Sequence, residues 1–166
     1  MFALKTISHD SVAGALAKAE RYRLLHEPGE AESICRDILG IEPGNQQALI
    51  SLILAQTDQI DRDSQAFAGA LTSVDRLQST YDRAYYTGIA WERRAKARHA
   101  GSGHSAHRYA YDWLVKALGF FEEAERLRAP GNDDAVLRWN ACVRYLSAHN
   151  ELAPTAEEKP EPIVSE

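Results

Sequence analysis

Basic excess, cysteine, β-strand alternation and long apolar runs are all scarce in this chain, and each gap excludes a class of protein. Of 166 residues, 19 are Lys or Arg and 24 are Asp or Glu, for a formal net charge of −5. That balance supplies no positive field to hold a phosphate backbone, so the expectation is no nucleic acid partner. No stretch approaches the length needed to cross a bilayer, and MFALKTISHDSV lacks the apolar run of a signal peptide. A cytoplasmic location without membrane association is therefore expected. The only cysteines, Cys35 and Cys142, are flanked by apolar residues. They read as buried thiols rather than a disulfide framework. Also missing are a Ser/His/Asp or Cys/His arrangement, a phosphate-cradling glycine loop and a zinc motif. No enzymatic activity and no cofactor are expected.

What is present is helical periodicity. Ala, Leu, Arg and Glu recur at spacings of three and four, and an apolar content of 45% is enough to bury one core. Breaks at Glu27-Pro28-Gly29, Pro43-Gly44-Asn45, Asp61-Arg62-Asp63, Ser79-Thr80, His99 to Ser105 and Pro130-Gly131-Asn132 leave seven helices of roughly 12–23 residues. The third, QALISLILAQT, is apolar nearly all round and belongs in the middle of the fold. The fourth, about 63–78, is expected to start from an Asp63 cap, and the fifth, about 81–99, from Ser79 or Thr80. The sixth, AHRYAYDWLVKALGFFEEAERLR, has Ala110, Ala117 and Ala124 seven apart, a seam that admits a neighbouring helix closely. Asn132 is expected to cap the seventh, about 133–147, whose Trp139 and Val143 would pack back onto the sixth. Residues 1–9 form an extension, and 149–166, rich in acid and proline, read as a disordered tail.

Two octets, EPGNQQAL at 42–49 and APGNDDAV at 129–136, share a Pro-Gly-Asn turn, and their asparagines are 87 residues apart. That is two repeats of about 34 plus an insertion of about 19. Tyr22, Ala31, Ile38 and Pro43 keep the spacing of one such unit; Gly88, Trp91, Ala110, Ala117, Ala124 and Pro130 keep that of another. On these residues, over about 10–147, the chain resembles a tetratricopeptide repeat protein. Lys18-Ala19 in place of Leu-Gly, Ile53 at a small-residue position and an overlong third repeat depart from the pattern. The resemblance implies an all-α solenoid of about three hairpins (12–45, 46–80 and 81–132) closed by a capping helix at 133–147. It also implies a non-catalytic module that binds a protein or peptide on the concave face of the stack.

Register placed on Tyr22, Gly88 and Pro130 gives the groove positions: Leu16, Glu20 and Arg23; Ile50, Leu54 and Thr57; Tyr85, Ile89, Glu92 and Arg93; Leu137, Ala141 and Arg144. An apolar centre with arginines near its ends suits a peptide with apolar anchors and acidic groups. The alternative is that the first and fifth helices cover Ile50 and Leu54. Some tetratricopeptide domains clamp the acidic tail of chaperones through lysine, asparagine and arginine; Leu16 and Glu20 at the corresponding positions remove that clamp.

A second candidate surface is the insertion, where Arg94, Lys96, Arg98, His104, His107 and Arg108 form a basic hairpin patch able to attract an acidic peptide or phosphate. The alternative is a solvated, extended hairpin tip with cations near a helix C-terminus. Its histidines, with His99, have no carboxylate or thiolate at recognised spacing, so no metal site is expected. Two other functions stay open: a homo-oligomeric assembly subunit, and an export or secretion chaperone of similar size and charge.

Overall fold

The computed structural model describes residues 2–100 and 104–153, with backbone alone for 104–106. Among them seven helices run in order: α1 Val12–Leu24, α2 Pro28–Ile41, α3 Gln46–Thr57, α4 Ala66–Val74, α5 Thr80–His99, α6 His104–Leu127 and α7 Asp134–Ala148. Short 3-10 turns, His9–Ser11 and Asn150–Leu152, flank them, and no strand occurs among the described residues. The fold is all-α. Each helix packs on the next in sequence, and α3 additionally touches both α1 and α5.

Local chemistry explains the boundaries. Pro28 opens α2, where its missing N–H is an orphan in any case. Asn45 caps α3, its side chain accepting from the Ala48 amide at 2.9 Å, and Ser79 caps α5 by accepting from the Asp82 amide at 3.1 Å. The second Pro-Gly-Asn turn is built differently. Helix α7 begins at Asp134, and Asn132 accepts from the Asp134 amide at 3.1 Å, closing a local turn rather than capping the first helical turn. Gly131, at φ +84°, makes that reversal, whereas Gly44 has no positive φ. Asn45→Ala should therefore cost about 1 kcal/mol, and Asn132→Ala roughly half that or less, measured by urea unfolding. Equal losses would contradict the difference between the two turns. Asp63 is likewise no cap: it accepts from the Gln65 amide at 2.8 Å, and α4 starts later and ends earlier than the sequence suggests.

The core has two main parts. Ala31, Cys35, Ile38, Leu49, Leu52 and Ile53 centre the first, between α1 and α4. Helix α3 is buried on most sides, as its all-round apolarity requires. The second joins α5, α6 and α7 through Ile89, Leu114, Phe121 and Cys142. Ala110, Ala117 and Ala124 are all fully buried, so the alanine seam is where α6 meets its neighbours. Phe121 fits because its partner position is Gly88: a Cβ there would lie 2.6 Å from the Phe121 ring. Burial pushes the Cys35 thiol up to about 11 and that of Cys142 up to about 12, so both stay protonated and unreactive at neutral pH.

The ordered chain continues past Ala148. Leu152 is buried in the second core, against a sequence expectation that put its segment in a disordered tail. Residues 154–166, the rest of that tail, lie outside the described residues.

Candidate functional site

Five of the residues placed on a groove by repeat register, Leu16, Glu20, Arg23, Ile50 and Leu54, line one open depression of about 390 Å³ between α1 and α3. Its walls follow from helix geometry: Leu16, Glu20 and Arg23 lie four and three apart on α1, and Ile50 and Leu54 four apart on α3. Leu16, Ile50 and Leu54 are half-buried, between core and solvent, while Glu20 is exposed. Ala17, Gln47 and Ser51 complete the rim.

The arginines face inward. Arg23 donates through Nε to Asp58 Oδ2 at 2.8 Å. Arg93 donates to the other oxygen of the same carboxylate, to Thr57 Oγ1 at 2.5 Å and to the Leu54 carbonyl at 3.1 Å. Asp58 thus joins α1, the end of α3 and α5. Burial pulls the Arg93 guanidinium below its ordinary value, and Asp58 opposes the shift. With Glu20 and Asp58 set against Arg23 and Arg93, the formal charges at this end cancel.

The α5 residues divide. Ile89 and Glu92, expected on the groove, are 2% and 1% exposed: Ile89 belongs to the core that α5 shares with α6 and α7, and Glu92 faces Arg138 of α7. Glu92 Oε1 accepts from Lys96 Nζ at 2.6 Å, and its Oε2 lies 3.6 Å from Arg138. Tyr85 is half-buried among Tyr81, Tyr86 and Phe121. Leu137 and Arg144 are exposed on α7, and neither lines the depression. Thr57 is buried and Ala141 half-buried.

Within the basic patch, Arg94 and Lys96 find partners inside the fold. Arg94 lies between two rings, its guanidinium carbon 4.1 Å from the centre of Phe67 and 4.2 Å from that of Trp113. Lys96 pairs with Glu92 and sits 5.0 Å over Tyr145. Arg98, 5.8 Å from the Tyr109 ring, and Arg108 are exposed, and His107 is half-buried. The His104 side chain lies outside the described residues. Arg94 and Arg98 share an open cleft of about 590 Å³ with Asp61 and Asp63, so this face carries both signs.

One grouping had no sequence signal. His99, at the end of α5, meets His149 and Glu151 beyond α7, 50 and 52 residues away. No helix among the described residues is long and apolar enough to cross a membrane. No family model matches this chain, and no curated protein or solved structure compared with it does either.

Proposed function

We propose that this chain is a tetratricopeptide-like interaction module that holds a peptide segment in the depression between α1 and α3, without catalysis. The observation that carries this reading is the convergence there of Leu16, Glu20, Arg23, Ile50 and Leu54, chosen by repeat register alone. Support for the stacked arrangement comes from the contacts of α3 with both α1 and α5, the order in which the first helices of successive hairpins adjoin. A cytoplasmic setting is part of the proposal.

The occupant follows from the chemistry of the walls. Apolar Leu16, Ile50 and Leu54 favour a segment with apolar anchors at helical spacing. Since Asp58 holds both arginines, binding is driven by apolar burial and depends weakly on salt. A peptide library selected on the full chain tests this. Enriched peptides should carry apolar anchors and lose roughly tenfold or more in affinity to an Ala17→Arg, Ser51→Arg variant that fills the depression. No enrichment, or equal binding to the filled variant with its helicity intact, would overturn the reading.

A further inference from the structure

Three side chains that no repeat pattern relates converge where α5 ends and the C-terminal turn begins. His99 Nε2 lies 3.3 Å from Glu151 Oε1, and His149 Nδ1 lies 3.2 Å from the same oxygen. The two imidazoles are 4.7 Å apart between ring centres, and the ligand atoms of all three groups fall within 4.8 Å of one another. Two donors on one tetrahedral zinc ion, with bonds of about 2.0–2.1 Å, stand about 3.3 Å apart. The two nitrogen-to-oxygen spacings match that separation, and the two nitrogens lie within 4.8 Å of each other.

The surroundings suit a metal rather than a simple ion pair. His99 Nδ1 lies 2.5 Å from the Tyr145 hydroxyl. When Nδ1 carries the proton and donates it to that oxygen, Nε2 turns its lone pair toward Glu151, and a cation between them completes the set. Fixing the tautomer through the second ring nitrogen is how ligating histidines are ordinarily held. His99 is mostly buried, its side chain 15% exposed, whereas Glu151 is about half exposed and leaves an approach from solvent. Two imidazoles, borderline nitrogen donors, beside a single carboxylate suit zinc and disfavour calcium or magnesium, which take oxygen ligands.

We propose that His99, His149 and Glu151 form a binding site for a divalent transition-metal ion of the zinc class. Water takes the fourth position, and Tyr145 acts as a positioning residue. The ion ties the 3-10 turn that carries Leu152 to the end of α5.

Zinc alone, titrated into the full chain at about pH 7.5, where imidazole is largely neutral, tests the site by calorimetry and by the shift in thermal unfolding. One ion should bind per chain and raise the unfolding midpoint. His149→Gln and Glu151→Gln, both at partly exposed positions, should each weaken binding by about a hundredfold, and Tyr145→Phe by about tenfold. His26→Ala, at an exposed turn elsewhere, should leave binding unchanged. Absence of binding by wild type would overturn the site. So would binding that survives His149→Gln, or that His26→Ala removes, since either would place the ion on other histidines.

Discussion

Replacing Phe121 with alanine is expected to lower stability by about 3–5 kcal/mol, the range for emptying a fully enclosed aromatic site. Phe121 has no exposed surface, packs against Tyr85 with ring centres 6.0 Å apart, and sits between α5 and α6. The same contact is testable from its other side. Gly88→Ala would usually gain about 1 kcal/mol in a helix interior. Here its methyl would meet Phe121 Cε1 at 2.6 Å and Cδ1 at 2.8 Å, and the expected result is instead a loss of about 1–3 kcal/mol. The double variant Gly88→Ala, Phe121→Leu should lose less than the sum of the single changes, because the methyl enters space the smaller side chain releases. Urea unfolding followed by circular dichroism measures these variants and Phe121→Leu alone beside the wild type. A neutral or stabilising Gly88→Ala would show that α5 and α6 do not approach as described.

The second large effect is expected at Asp58. Asp58→Ala removes the carboxylate that two arginines share and should cost about 2–3 kcal/mol, since each guanidinium is left partly enclosed without its counter-charge. The loss stays below that for a fully buried pair because the three side chains keep 20–28% of their surface exposed. Arg36 provides the comparison. It pairs with Glu32 at 2.6 Å, but its side chain is 64% exposed, so Arg36→Gln should cost under about 0.5 kcal/mol. A cycle of Arg23→Gln with Asp58→Ala isolates the coupling. Additive losses would mean that Asp58 does not bind Arg23.

Much of this architecture is legible from local pattern. Seven helices follow from periodicity and from the Pro, Gly and capping signals, and the buried seam of Ala110, Ala117 and Ala124 follows from their spacing. Leu16, Glu20, Arg23, Ile50 and Leu54 meet in the depression because they lie three and four apart on two helices, α1 and α3, that touch. On α5 the spacing alone puts Ile89 and Glu92 on an open surface. Both are buried instead, Ile89 in the core shared with α6 and α7 and Glu92 opposite Arg138 of α7, and a pattern drawn from one helix carries no information on which later helix will cover it. The Arg93 interaction with Asp58 and the meeting of His99 with His149 and Glu151 were out of reach for a related reason. Each joins residues more than 30 positions apart, and such a pairing is set by how the helices finally pack, not by any local spacing.

The packing of each helix on its sequence neighbour has a kinetic consequence. Contacts of this kind close short loops, so little chain entropy is lost before burial begins to compensate. Helices α5 and α6 share the most extensive interface, joined by residues 100–103, and can zip together before any distant segment arrives. Onto this hairpin α7 and the Leu152 turn pack through α6, and α3 and α4 through α5. A topology in which each helix packs on its sequence neighbour keeps contact order low, the condition under which helical chains fold fast.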